Sequence, residues 1–131
     1  MIAIILASFL LAVVLTPQTG VKSRIDQAID NIVRYDSGIN INTSVGLRFE
    51  MWKAAFYMFE DSPVLGVGKH SSVVEKNRLL EDGLVSPRAL KYGHAHNEYL
   101  NALGYRGIVG LAFLLVVYLV PLRLFLKKEN L

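Results

Sequence analysis

The sequence predicts an all-α integral membrane protein in which two transmembrane helices flank a long, mostly helical loop. Residues 1–15 carry no charge and one hydroxyl, Ser8, and residues 107–122 also carry no charge. Charged residues are confined to the segment between these runs and to the C-terminal end. A soluble chain would have to bury both apolar runs with too little else to cover them, so a membrane location is favoured.

The first and last elements are the apolar runs themselves. We place transmembrane helices at 1–16 and 107–126, the loop domain at 17–106 and a cytoplasmic tail at 127–131. A span requires about 20 residues, and the second run reaches this length only if Arg123 snorkels to the interface. The first run is short and starts without a charged flank. We therefore expect a fragment of a larger polytopic protein.

Two other interpretations of the first run remain open. A secretory signal peptide would have a basic segment before the apolar run and a small-x-small cleavage site, and neither is present. A buried core helix of a soluble protein is the other. The basic residues after the second run favour a cytoplasmic C-terminus, and those at the loop ends oppose it, so charge leaves the side of the loop open.

Composition excludes several classes of function. The 131 residues have a net charge of +3, and the loop is nearly balanced in charge, so no nucleic-acid-binding surface is indicated. Since the chain has no cysteine, it can form neither disulfides nor thiolate metal sites.

Within the loop, apolar spacing predicts an amphipathic helix over 21–34 and a second helix over 45–60, which Pro63 ends. A short helix is predicted over 71–80 and irregular structure over 83–93. A further helix is predicted over 96–103, ending near Gly104.

His96 is the first candidate for chemistry. An imidazole can accept or donate a proton at neutral pH, and this one lies just ahead of an apolar run. On a helix it would share a face with Tyr99 or Leu100 and with Leu103. The alternative is a structural histidine bonded to a backbone carbonyl.

Arg48 is the second candidate, because its planar fork of donors matches phosphate oxygens and a helix N-terminus also favours an anion. The alternative is an ion pair with Glu50 or Asp61, or simple exposure. His94, Asn97 and Arg106 are auxiliary candidates. No metal site is expected, because His94 and His96 would point to opposite sides of a helix and nothing in the spacing requires His70 or Glu98 as further ligands.

The glycines are expected to serve structure. Gly66 and Gly68 lack the rest of a phosphate-binding fingerprint and are interpreted as turn residues. Gly104, Gly107 and Gly110 recur every third residue, which permits close helix packing in lipid.

Together these residues resemble the C-terminal signature of the bacterial O-antigen ligase and polymerase family. The resemblance rests on Arg48 with Trp52, on the run DSPVLGVG at 61–68 and on HAHNEYL at 94–100, continuing through Gly110. It covers about half of the chain, and it is the combination, more than any one piece, that is specific.

The resemblance implies a multi-pass glycosyltransferase of the bacterial inner membrane with a GT-C-like helical fold. Members take a glycan from an undecaprenyl diphosphate carrier on the periplasmic face, without a cofactor. Ligases pass it to lipid A-core, and polymerases pass it to a second lipid-linked glycan. The resemblance implies a periplasmic loop, a catalytic His96 and a diphosphate-binding Arg48, with membrane lipid as a further partner. A two-span membrane protein whose loop binds a partner or glycan without chemistry is the alternative.

Overall fold

The computed structural model describes residues 2–128, which form five α-helices and two 3₁₀ turns, with no strand in that range. The helices are α1 (Ile2–Leu15), α2 (Val21–Asp36), α3 (Ser44–Asp61), α4 (Ser71–Glu81) and α5 (Glu98–Lys128). The 3₁₀ turns lie at Pro17–Thr19 and Ala89–Lys91. The all-α class predicted from the sequence is thus confirmed over these residues, and α2, α3 and α4 begin and end close to the predicted positions.

The chain divides into two compact units, Met1–Gly46 and Leu47–Leu131. In the first unit, α1 packs against α2, and Gly20 takes the positive φ of 66° that the turn between them requires. Helix α2 is amphipathic, as its spacing predicts. Its apolar side chains are exposed and its polar side carries the ion pair Asp30–Arg34, at 2.8 Å.

The two apolar runs form helices of very different length. Helix α1 has 14 residues, which corresponds to roughly 21 Å at 1.5 Å per residue, shorter than a hydrocarbon core of about 30 Å. The segment Glu98–Lys127 is the one helix within 2–128 that is long and apolar enough to cross a membrane, and its most apolar stretch is not buried against the rest of the protein. The structure therefore supports one of the two predicted spans.

The core of the second unit is organised around α3. Met51, Ala55 and Met58 lie on one side of this helix and form a buried cluster with Ala89 and Ala95. Ala54 belongs to a second buried cluster and packs with Leu79 of α4 and with Val85. Since the four buried alanines in these two clusters are small, neighbouring backbones can approach the helix closely.

Helix α5 approaches α3 at Gly104. A Cβ atom at Gly104 would lie 2.8 Å from the carbonyl oxygen of Ala55, which leaves no room for a larger residue. Gly104 is therefore a packing residue, and the prediction that a helix ends there is wrong. The prediction that this helix starts at His96 is also wrong, because α5 begins at Glu98.

Helix α5 is interrupted at Gly107, whose φ of 62° and ψ of −159° are not helical. The N–H groups of Ile108 and Val109 donate to the carbonyls of Pro63 and Val64, at 2.9 and 3.3 Å. In an unbroken helix they would donate to the carbonyls of residues 104 and 105.

Those two carbonyls are bonded instead by the same connecting segment, 63–68. The N–H of Val67 donates to Gly104 and that of Gly68 to Tyr105, at 3.2 and 3.0 Å. Segment 63–68 is thus inserted into the helix break with all four backbone groups satisfied, as buried polar groups require. Gly66 and Gly107 permit this contact, because a Cβ on Gly66 would lie 2.6 Å from the nitrogen of Gly107.

An ion-pair cluster joins the end of α3 to α4. Arg78 of α4 contacts Asp61 at 2.6 Å and Asp82 at 3.2 Å, and it also pairs with Glu75. The hydrogen bond with Glu75, together with the nearby carboxylate charges, raises the pKa of Arg78 above its ordinary value. Asp61, one of the carboxylates considered for Arg48, is therefore engaged with α4.

Candidate active site

The candidate site is built on the histidine loop, residues 92–97, which connects the turn at Ala89–Lys91 to α5. His96 is exposed and is the one non-glycine residue with positive φ within 2–128, at 50°. A left-handed conformation costs about 1–2 kcal/mol for an ordinary residue and persists only when its surroundings enforce it. Such strained residues cluster at functional sites, which favours a functional role for His96.

The peptide groups of Ala95 are held from two sides. The indole N–H of Trp52 on α3 donates to the carbonyl of Ala95 at 2.9 Å. The N–H of Ala95 donates to Oδ1 of Asn101 on α5 at 2.8 Å. Because Ala95 is also buried in the core cluster, the residue immediately before His96 is fixed in position.

The start of the loop has its own supports. The hydroxyl of Tyr105 donates to the carbonyl of Gly93 at 2.7 Å, and the ammonium of Lys76 lies 3.0 Å from that hydroxyl. Lys76 also reaches the carbonyl of Tyr92 at 3.5 Å. Helices α3, α4 and α5 therefore all contribute a side chain that holds the histidine loop.

The imidazole of His96 lies among aromatic rings. Its centroid is 4.1 Å from that of His94 and 5.8 Å from that of Tyr92. The backbone N–H of His96 donates to Nδ1 of His94 at 3.2 Å, while the imidazole of His96 makes no hydrogen bond to a described residue. His94 and His96 are thus neighbours, and the opposite orientations expected on a helix do not occur because this segment is not helical.

Asn97 caps helix α5. Its Oδ1 accepts hydrogen bonds from the N–H groups of Tyr99 and Leu100, at 3.0 and 3.2 Å, which is the usual function of an asparagine before the first helical residue. The cap ends the loop and starts the helix, so Asn97 fixes where His96 stands relative to α5.

Arg48 lies on α3, one helical turn before Trp52, so the two side chains leave the same side of the helix. Arg48 is exposed and takes part in none of the ion pairs formed within 2–128. The carboxylate of Glu50 accepts the N–H of Ser86 at 2.6 Å and Asp61 pairs with Arg78, so both considered partners are engaged elsewhere. The guanidinium is available to a ligand.

Arg106 lies at one end of an apolar groove. The groove runs along α5 beside segment 63–68 and has a volume of about 510 Å³. It is lined by apolar side chains from both elements, chiefly Leu65, Val109, Phe113 and Val117. The stem of Arg106 lies over Gly110, so a positive charge is held at one end of an otherwise apolar surface.

No three His, Asp or Glu side chains within 2–128 converge in a way that could hold a metal ion. His70 and Glu98, the two residues considered as further ligands, form no such group with His94 and His96.

Sequence reasoning missed the residues that hold the histidine loop. A signal for two of them, Asn101 and Tyr105, is present in the sequence. Together with Asn97 they recur at intervals of four, which is the spacing of residues on one side of a helix. A polar stripe of this kind facing a buried core indicates a side chain that bonds backbone groups.

Over residues 2–128 these features describe an all-helical fold with a polar site beside a helix that is long and apolar enough to cross a membrane. The sequence profile of the O-antigen ligase family matches residues 1–115. The chain belongs to this family, whose members are integral membrane enzymes of glycosyltransferase type.

A relative in Haemophilus influenzae, an uncharacterized protein, is 32% identical over 121 residues. The match covers 92% of this chain and 30% of the relative, so the chain spans about a third of the length of the relative it matches.

Proposed function

We propose that this chain forms part of an O-antigen ligase that transfers a glycan from undecaprenyl diphosphate to lipid A-core at the periplasmic face of the inner membrane. The observation that supports this most is the hydrogen bond from Trp52 to Ala95, because it joins the helix of Arg48 to the loop of His96. The family supports glycosyl transfer in general. We propose that further membrane helices complete the site, since the relative is about three times as long.

The proposed reaction replaces a diphosphate at the anomeric carbon by an acceptor sugar hydroxyl. The hydroxyl oxygen forms the new bond to this carbon, and its proton passes to the imidazole of His96. The bond between the anomeric carbon and the diphosphate oxygen breaks, and its electron pair leaves with undecaprenyl diphosphate. A positioned general base of this kind contributes typically about 10²–10⁴-fold to the rate.

Arg48 is assigned to the diphosphate. Charge grows on the leaving oxygens as the bond breaks, and a guanidinium placed in advance stabilises it without needing to reorganise. The exposed position of Arg48 and its lack of an ion pair within 2–128 support this assignment. We propose that this cation takes the place of a divalent metal in the reaction.

The lipid carrier is assigned to the apolar groove along α5 that has Arg106 at one end. Its apolar lining, from Leu65 to Val117, suits a hydrocarbon chain, and the charge of Arg106 suits a phosphate at the membrane surface. In this arrangement the diphosphate would lie on the same side of the membrane as the histidine loop.

The test is a transfer assay on the full-length protein with a lipid-linked glycan as donor and two acceptors in competition. We expect the glycan to appear on lipid A-core. Transfer to a second lipid-linked glycan would instead identify a polymerase, the alternative within this family. Transfer to neither acceptor, by a protein that binds glycan or a partner, would contradict an enzymatic function.

The same assay tests the absence of a metal requirement. We expect the transfer rate to be unchanged after chelation and dialysis. Loss of transfer with chelator, restored by magnesium or zinc, would overturn the role given to Arg48 as the replacing cation.

A further inference from the structure

The histidine loop carries a strained residue whose conformation must be maintained by its neighbours. His96 has a φ of 50° and follows Ala95, whose two peptide groups are bonded to side chains on different helices. Trp52 donates to the carbonyl and Asn101 accepts from the N–H. Both bonds act on the residue next to His96, and neither side chain makes a ring contact or a hydrogen bond with the imidazole.

From this geometry we propose that Trp52 and Asn101 are positioning residues that clamp the Ala95 peptide and thereby aim the imidazole of His96. The inference rests on the proposed function, in which His96 accepts the proton of the acceptor hydroxyl. In this proposal neither residue contacts the reacting atoms. Each affects the rate of transfer by fixing the position of His96.

The clamp connects two helices that belong to different parts of the site. Trp52 shares a side of α3 with Arg48, and Asn101 is one turn beyond Asn97, the cap of α5. The Ala95 peptide therefore relates the arginine-bearing helix to the start of the spanning helix. A shift of about 1 Å in such a relation can cost on the order of 10²-fold in rate.

The chain offers variants that separate the hydrogen bond from the volume of each side chain. Asn101→Leu removes the acceptor oxygen at similar size, whereas Asn101→Asp keeps an acceptor oxygen at the same position. Trp52→Phe keeps an aromatic ring in the core cluster and removes the indole N–H.

We expect Asn101→Leu and Trp52→Phe each to lower kcat by roughly 10²-fold, with little change in the KM for the lipid-linked donor. Asn101→Asp should retain most of the wild-type kcat. Asn77→Leu is the matched control, since Asn77 is exposed on α4 and its side chain makes no hydrogen bond to a residue within 2–128.

A second readout does not depend on activity. Hydrogen–deuterium exchange of the peptide covering 93–97, in the full-length protein, should rise by about five- to tenfold in Asn101→Leu and stay low in Asn101→Asp. A five- to tenfold rise in exchange rate corresponds to the loss of one hydrogen bond of ordinary strength.

The outcomes separate the clamp from the proposed function. If His96→Ala keeps normal transfer, the role of His96 is wrong. If His96→Ala abolishes transfer but Asn101→Leu and Trp52→Phe leave kcat unchanged, the clamp does not position His96. Unchanged exchange in Asn101→Leu would also overturn the clamp. If kcat falls as far in Asn101→Asp as in Asn101→Leu, the acceptor oxygen of Asn101 is not what positions His96, and the clamp is wrong.

Discussion

His96 combines exposure with backbone strain. Its imidazole is open to a ligand, while the peptide before it is fixed by Trp52 and Asn101. A histidine retained only for structure would be expected to use its ring nitrogens for a hydrogen bond, and this ring makes none within 2–128. The contacts made by its backbone and the freedom of its ring are both consistent with a residue positioned for chemistry.

Arg48 allows a test of how the diphosphate is bound. Arg48→Lys keeps the positive charge but loses the planar fork that bonds two oxygens at once. We expect kcat/KM for the donor to fall by about tenfold or more, since hydrogen bonds to charged groups contribute about 1.5–3 kcal/mol and this one strengthens as charge grows on the leaving oxygens. Steady-state kinetics with varied donor measures this.

The control for that variant is Lys53→Gln, which removes an exposed charge from another side of the same helix. It should leave kcat/KM for the donor within about twofold of wild type, because an isolated exposed charge contributes little. A normal kcat/KM in Arg48→Lys would contradict a two-point contact with the leaving diphosphate.

At the level of secondary structure, the most unusual feature is the insertion of segment 63–68 into α5. Four backbone hydrogen bonds replace two that an unbroken helix would make, and Gly66 and Gly107 supply the space. The insertion fixes where Arg106 and the groove below it lie relative to the histidine loop. The DSPVLGVG run therefore has a structural explanation that does not involve phosphate binding by its glycines.

Gly107→Ala tests this insertion. The added Cβ would meet the carbonyl of Val64, and alanine resists a φ of 62°, so we expect a loss of at least about 2 kcal/mol in the free energy of unfolding. Thermal unfolding in detergent, followed by circular dichroism, measures the change.

Gly83→Ala is the matched control, because Gly83 has a similar φ of 68° and nothing within 4 Å of an added Cβ. It measures the cost of a positive φ alone, about 1–2 kcal/mol. The loss in Gly107→Ala should be larger, because it adds the clash and a ψ of −159° that alanine resists further. Equal losses in the two variants would show that the contact with Val64 is unimportant.

The helices of the loop are predictable from the sequence because their apolar spacing and their terminating residues are local signals. Helices α2, α3 and α4 depend on such signals, as Pro63 shows at the end of α3. The start of α5 depends on a capping choice between Asn97 and its neighbours, which tertiary bonds to Ala95 decide. The break at Gly107 depends on a segment forty residues earlier, and periodicity carries no information about such a contact.

The candidate site likewise contains residues that the sequence identifies and residues that only the structure identifies. His96 and Arg48 are identifiable by residue type and by resemblance to a family, and their roles remain predictions. The residues that hold the loop are not identifiable by type, because Trp52 and Tyr105 act through single polar atoms at the edge of an apolar cluster. Only the folded arrangement shows which carbonyl each one reaches.

For the whole molecule, the membrane position of α5 is the main structural expectation. These 131 residues contain no cysteine, so a single cysteine introduced into them can be labelled without background once any cysteine elsewhere in the full-length protein is replaced. We expect Val116→Cys, in the apolar part of α5, to resist a water-soluble maleimide, and Ser71→Cys, on the exposed start of α4, to react fully.

The same labelling determines the side of the loop. In cells with a permeabilised outer membrane and an intact inner membrane, Ser71→Cys should react with an impermeant maleimide. Reaction only after the inner membrane is disrupted would place the loop in the cytoplasm and contradict a periplasmic site. Rapid labelling of Val116→Cys would contradict a membrane-spanning α5.

The most direct test of the central claim is the single-turnover rate of His96→Ala in the full-length protein loaded with lipid-linked donor. We expect the rate of glycan transfer to fall by about 10²–10⁴-fold while donor binding stays within about twofold of wild type. His70→Ala, an exposed histidine beside α4, should transfer at the wild-type rate. Transfer by His96→Ala at a rate near that of the wild type would contradict the claim that this imidazole takes part in the reaction.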